Sequence, residues 1–383
     1  MTATTRKKTL LGGNPPFPSL LRQELALGAG ITTCLVFLLG GERTLPLLTS
    51  PKLLPYVAVW LFVVMLWSSL SVVRHAEDLA RRLGEPYGTL LLTLSVTAIE
   101  VASISAVMVH GENNPVLVRD TLFAVIMIIL NGMVGFSLLF GGWRHREQHY
   151  NLQGANAYLS VIIPLAVMSL IMPDFTLTTP GPTLSSDQQL FLIVMAVGLY
   201  GAFLGIQTGR HRDYFSAESD AAGKAGGPAS IHLPALPRSI ALLVAYLASV
   251  IYMAELLAHP IDYLIETLHA PAALGGVIIA VLVATPEALG AIRAAIGNQL
   301  QRSVNIFLGS VLSTIGLTIP AMLIIGHFTG RHFDLGLQHT DIVMLLLTLF
   351  SSAVTFASGR TNVLQGAVHV LLFTAYVLLI FQD

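Results

Sequence analysis

The sequence predicts an all-α polytopic membrane protein with eleven transmembrane helices: one N-terminal helix, then two five-helix repeats of inverted topology. Three observations carry this. Of the 383 residues 54% are hydrophobic and only 11% charged, with a mean hydropathy of +0.74, as expected of a chain solvated by lipid. Apolar runs of about 20 residues, enough to cross a hydrocarbon core about 30 Å thick, recur along the whole length. The basic residues collect in alternate connections between those runs.

The first run, 23–41, follows a basic tail (Arg6, Lys7, Lys8) and is shortened by Arg22, Glu24 and the cluster Gly40, Gly41, Glu42, Arg43. No small-residue cleavage site directly follows it, so the tail is read as retained and cytoplasmic. Runs at 53–73, 87–110, 119–142, 155–172 and 188–208 come next. The polar stretch 209–237, with Gly223, Gly226, Gly227 and Pro228 and no apolar period, reads as a flexible cytoplasmic linker. Beyond it lie runs at 238–257, 272–294, 303–326, 340–357 and 362–381. The predicted division is therefore 1–50 (tail and first helix), 51–208 (first repeat), 209–237 (linker) and 238–383 (second repeat).

Charge bias checks this map. With the N-terminus inside, sixteen Lys and Arg fall on the cytoplasmic side, from Arg6 to Arg360. Only Arg43, Lys52, Arg119 and Arg331 fall on the other. An N-terminus inside and a C-terminus outside follow from the odd span number. Five spans per repeat, also odd, make equivalent helices run in opposite directions. The net charge of −1 gives no case for nucleic acid, and the single cysteine, Cys34, excludes a disulfide framework.

Two lone carboxylates interrupt the apolar runs. Glu287 lies twelve residues after Gly275, directly behind Pro286; Glu100 lies twelve residues after Gly88. An ionised side chain at the bilayer centre costs at least about 2.5–3.5 kcal/mol. Ahead of the two stretches, Glu77 lies nine residues before Pro86 and Asp262 nine residues before Pro271. If the repeats pack about a pseudo-two-fold axis, Glu100 and Glu287 meet near the midplane. Two such acids either take up protons or hold a cation between them. That exclusive choice is the coupling rule of an antiporter. One Ca²⁺ against two protons balances the charge, and hard oxygen ligands also suit Na⁺ or K⁺.

Pro286 lacks an N–H, which frees the carbonyl of Leu282 as a cation ligand or simply kinks the helix. Ser95, Thr97, Ser103, Asn131, Thr285, Ser310, Ser313 and Thr314 are candidate further ligands, although hydroxyls in membrane helices also bond to their own backbone. Glu77, Glu255 and Asp262 are candidate pathway or gate residues. His110, His259, His269 and His327 fall at span ends, and no Lys, Arg or His is assigned to the core spans as a partner for the acids. A cation channel would repeat a pore segment around a ring. An intramembrane enzyme would need a nucleophile or zinc motif, for which Cys34 alone does not suffice.

Several stretches carry a resemblance: Gly84-Glu-Pro-Tyr-Gly-Thr-Leu, Ile99-Glu100-Val101, Gly111-Glu-Asn-Asn-Pro115, Asn151 to Tyr158, Gln207 to Phe215, Ala291 to Ala295 and Gln299 to Ile306. With the paired central glutamates they resemble the cation/Ca²⁺ exchanger superfamily, on its cation/proton branch of ChaA-type antiporters. The resemblance implies a bacterial inner membrane location, no cofactor, and alternating access around Glu100 and Glu287. It also implies export of Ca²⁺, Na⁺ or K⁺ against inward proton flow. The family usually carries Gly-Asn-Ala shortly before each Glu. Here those positions read Val96-Thr97-Ala98 and Val283-Ala284-Thr285, so a strong amide ligand is missing from both, which leaves room for monovalent ions. The acidic cluster of the family's central loop is absent as well, since Arg210, Arg212 and Lys224 balance Asp213, Glu218 and Asp220.

Overall fold

The computed structural model describes residues 24–44, 47–48, 50–84, 87–110, 115–216 and 236–382. The basic tail, most of Gly111-Glu-Asn-Asn-Pro115 and the greater part of the predicted linker lie outside the described residues.

The helices follow the apolar runs. The first half contains α1 (Leu25–Gly40), α2 (Leu54–Leu83) and α3 (Tyr87–His110). Next come α4 (Leu117–Met127) and α5 (Val134–His145), joined by a π-helical turn at Ile128–Met133. Then follow α6 (Leu152–Ala166), α7 (Met172–Phe175) after a π turn at Val167–Ile171, and α8 (Ser186–Gly205). The second half contains α9 (Leu236–Asp262), α10 (Ala273–Ile296), α11 (Leu300–Ser313), α12 (Ile319–Thr329), α13 (His339–Thr355) and α14 (Val363–Ile380). A π turn at Thr314–Thr318 joins α11 to α12. Nine of the described helical stretches are long and apolar enough to cross a membrane, and two shorter apolar helices occupy the first and tenth predicted spans.

Three features differ from the sequence expectation. The fold is not purely helical: β1 (Glu147–His149) and β2 (Arg360–Asn362) pair antiparallel, Gln148 opposite Thr361, and join the α5–α6 and α13–α14 connections at one end of the bundle. Helices α2 and α9 run well past their apolar cores, because charged residues such as Glu77, Arg81 and Arg82 do not break a helix where it leaves the lipid. Residues 209–216 of the predicted linker are folded, as the end of a π turn and a 3₁₀ turn at Arg212–Tyr214, docked against the bundle.

Glycines set the closest approaches between the halves. A Cβ at Gly276 on α10 would sit 2.7 Å from the backbone nitrogen of Thr121 on α4, and one at Gly135 on α5 2.8 Å from that of Val370 on α14. With lipid as solvent, packing at small residues replaces the hydrophobic effect as the force that holds helices together. These crossings fix α10 against α4, which positions Glu287 inside the bundle.

Helix α1 is tied to the first long helix of each half. The Tyr246 hydroxyl of α9 donates to Glu24 Oε2 (2.8 Å), and His75 Nε2 and Arg74 Nη2 of α2 approach the same oxygen at 3.3 and 3.4 Å. Glu24→Gln removes the charge from this knot and should destabilise the protein by about 1–3 kcal/mol. The check is thermal unfolding in detergent. Tyr246→Phe, which removes one donor, should lower the midpoint by less.

Candidate functional site

Glu100 sits halfway along α3 and is 2% exposed. Thr314 Oγ1 donates to its carboxyl oxygens at 3.1 and 3.2 Å, and Thr318 Oγ1 to Oε2 at 2.7 Å. Glu287, on α10 directly after Pro286, accepts from the Ser310 hydroxyl. Both acids therefore lean on one helical rod. Residues 310, 314 and 318 recur every four positions, so their side chains share a face of α11 and its π turn. The π turn adds backbone within that turn, a local rephasing found often at functional sites.

Thr318 was not among the sequence-selected ligands, although it continues the four-residue stripe through Ser310 and Thr314 and was legible on that ground. Of the candidates, Ser310 and Thr314 reach the acids. Ser313 donates to the Ser310 carbonyl (2.9 Å), Ser95 to that of Leu91 (2.8 Å) and Thr285 to that of Val281 (2.5 Å), all within their own helices. Thr97 and Ser103 flank Glu100 by one turn on each side. Their hydroxyls are buried with no hydrogen-bond partner among the described residues. A buried orphan hydroxyl is costly, and water or a cation between α3 and its neighbours would satisfy both. Leu282 is buried, and α10 continues through Pro286, so proline's missing N–H leaves the Leu282 carbonyl without its helical donor.

Asn131 is bonded elsewhere. Its Nδ2 donates to Thr348 Oγ1 (2.8 Å), and its Oδ1 lies 3.3 Å from His369 Nδ1; His369 Nε2 lies 3.0 Å from Thr355 Oγ1. This polar cluster joins the α4–α5 π turn to α13 and α14. It also corrects the statement that no basic side chain occupies a core span, since His369 is fully buried within α14. No sequence signal distinguished His369 from an interfacial histidine except its position, six residues inside the helix.

A cavity of about 470 Å³ leads to Glu287, Ser310 and Ser313 past Thr93, Val96 and Pro286, and does not include Glu100 on its wall. Its other end is walled by Glu77, Arg212, Ser216 and Arg302. Three connections meet there. Gln301 Oε1 accepts from Asn151 N (2.6 Å), Gln301 Nε2 reaches the Tyr214 carbonyl (3.5 Å), and Asn305 Nδ2 donates to the Phe215 carbonyl (2.6 Å). Glu77 forms an ion pair with Arg81 (3.6 Å) inside α2. Glu255 is exposed at the protein surface away from the cavity, and Asp262 closes α9 outside it.

The opposite end of the bundle is covered by the α12–α13 connection. There Asp334 N donates to the Pro115 carbonyl (3.1 Å) and Leu337 N to that of Leu170 (2.9 Å). Arg119 Nη1 reaches the Gly336 carbonyl (3.1 Å), and Arg331 donates to the carbonyl of Met108. Its own Phe333, Leu335 and Leu337 are buried.

Known proteins match this arrangement. Residues 53–209 and 238–382 match the family described as sodium/calcium exchanger protein. The sodium-potassium/proton antiporter ChaA of Escherichia coli (strain K12) is 41% identical over 350 residues, covering 90% of this chain and 93% of that protein. A Ca(2+)/H(+) antiporter of Synechocystis sp. is 24% identical over 350 residues, covering 85% and 92%. Among solved structures, native YfkE superposes with a TM-score of 0.71 at 20% identity, covering 94% of this chain and all of that one, a likeness of fold. With paired matches on both sides of the central connection and a relative above 40% identity, the chain belongs to the sodium/calcium exchanger protein family.

Proposed function

We propose that the chain is a secondary antiporter that exports cations (Ca²⁺, Na⁺ or K⁺) from the cytoplasm in exchange for protons, by alternating access around Glu100 and Glu287. One observation carries this reading: two carboxyl groups share one ladder of hydroxyl donors, and a cavity reaches that ladder at Glu287, Ser310 and Ser313. A carboxyl in such a place must be neutralised by a proton or a metal cation. A hydroxyl serves both states, because it donates to a carboxylate and presents lone pairs to a cation. The relatives in Escherichia coli and Synechocystis are antiporters of the same kind.

The same reading includes eleven spans, with an N-terminal helix ahead of inverted repeats at 51–208 and 238–383 and a connection at 209–237. It is supported by the matching order of α2 to α8 and α9 to α14 and by a family match that breaks at the same place. Charge bias then puts the N-terminus and the cavity mouth in the cytoplasm of a bacterial inner membrane and the C-terminus outside, so the described conformation faces inward. Thr97, Ser103, Thr285, Ser313 and the Leu282 carbonyl are proposed as oxygens that complete the shell when a cation enters. Asn131 supports the site from a neighbouring cluster.

Glu100→Gln and Glu287→Gln should each abolish exchange while the protein still inserts. Proteoliposomes with an imposed proton gradient read this as loss of dye-reported proton movement on addition of CaCl₂, NaCl or KCl. Wild-type proton movement in either variant would refute the mechanism. Thr318→Val, which takes away the shortest bond to Glu100, should raise the half-saturating cation concentration by about tenfold or more, since a hydrogen bond to a charged group contributes about 1.5–3 kcal/mol. In the wild type, acidifying the cation side should raise that concentration as protons compete for the acids. The initial-rate series against pH measures it.

A further inference from the structure

We propose that Arg212 and Arg302 form an electrostatic filter at the cavity mouth that favours monovalent over divalent cations on the way to Glu287. This deepens the antiport reading and rests on it. Four charged side chains line the cavity: Glu287 at its inner end, and Glu77, Arg212 and Arg302 toward its mouth. Glu77 is already paired with Arg81. Arg212 and Arg302 are exposed and carry no ion pair among the described residues. Asp213, exposed beside Arg212, does not line the cavity, so among the described lining residues a cation passes two arginines and the paired Glu77 before it meets the acid.

The two arginines are held in place. Arg212 opens the 3₁₀ turn Arg212–Tyr214, whose following carbonyls are gripped by Gln301 and Asn305 on the first turns of α11. Gly154 allows this turn to dock, since a Cβ there would collide with the Tyr214 carbonyl oxygen. Arg302 lies on that same first stretch of α11, between Gln301 and Asn305. The positive end of the α11 dipole adds to the rim. The walls of the cavity have low dielectric and concentrate the field along its axis.

A potential acts on an ion in proportion to its charge. If the rim lowers the occupancy of a monovalent ion by some factor, it lowers that of a divalent ion by the square of the factor. A nearby unit charge in water changes monovalent occupancy by about two- to threefold, which makes about four- to ninefold for a divalent ion. The effect is screened by salt, because the Debye length falls from about 30 Å at 0.01 M to about 3 Å at 1 M. Selection by charge at the rim is separate from selection by ligand geometry at the acids, which does not depend on bulk salt in this way.

The test uses the full chain in proteoliposomes, with Arg212→Gln, Arg302→Gln and the double variant, reading half-saturating Na⁺ and Ca²⁺ concentrations for proton movement. Ionic strength is varied with choline chloride from low to high. Each Gln variant should lower the Na⁺ value by about two- to threefold and the Ca²⁺ value by about the square of that. The gap should close at high choline, and Arg302→Lys should keep the wild-type ratio. Equal changes for the two ions, no change, changes indifferent to choline, or a Lys variant that behaves like Gln would each overturn the filter. A wild-type protein that moves no protons with any cation would instead end the antiport reading, and the filter with it.

Discussion

Two carboxyl groups within the helical bundle are supported by a single helical face. Ser310, Thr314 and Thr318 stand one turn apart, and between them they donate to Glu287 and Glu100. The structure around them exists to hold that face in register with two other helices. Gly276 lets α10 press onto the backbone of α4, and α10 in turn packs on α11. The π turn Thr314–Thr318 shifts the phase of the rod where it passes Glu100. An unbroken α-helix would rotate the stripe by 100° per residue with no adjustment at that point.

The two helix pairs broken by π turns differ in chemistry. The pair α11–α12 carries the hydroxyl ladder, whereas α4–α5 carries Asn131, which bonds to Thr348 and lies beside His369. That second cluster satisfies buried polar groups among themselves and ties α13 and α14 to the bundle. It has the character of a rivet, because each group has a partner from another helix and none opens on the cavity. The two acids differ in access as well. Glu287 lines the cavity, whereas Glu100 is buried and is not on its wall.

The sequence was a good guide to whatever lipid imposes. Apolar runs marked the helices because a bilayer leaves no other way to satisfy the backbone, and lone glutamates stood out because ionised groups are expensive there. It was a poor guide to side-chain direction. Thr285 stands two residues before Glu287, but a helix turns 100° per residue, and the Thr285 hydroxyl meets the Val281 carbonyl instead. Asn131 looked like a ligand by repeat position alone, and tertiary packing gave it other partners. The π turns left no trace in composition, since they depend on how neighbouring helices fit. The family-like stretches Asn151 to Tyr158, Gln207 to Phe215 and Gln299 to Ile306 gave no hint of mutual contact. The folded chain brings them together at the cavity mouth through Gln301 and Asn305.

One rod connects all of these places. From Leu300 to Thr329 the chain is continuously helical for 30 residues, about 45 Å at 1.5 Å per residue. It starts beside the mouth at Arg302, passes Ser310 and Thr314, crosses Glu100 at Thr318, and ends next to Arg331, which is bonded to the Met108 carbonyl at the opposite end. A displacement of this rod against α3 and α10 would alter the mouth, both acids and the contacts of the opposite end in one movement. Under the antiport reading that geometry supplies the coupling. A proton or cation that neutralises either acid changes the energy of the rod's position, and by linkage the position changes the affinity of the acid for that same ion. No separate signal between the two ends of the bundle is then required.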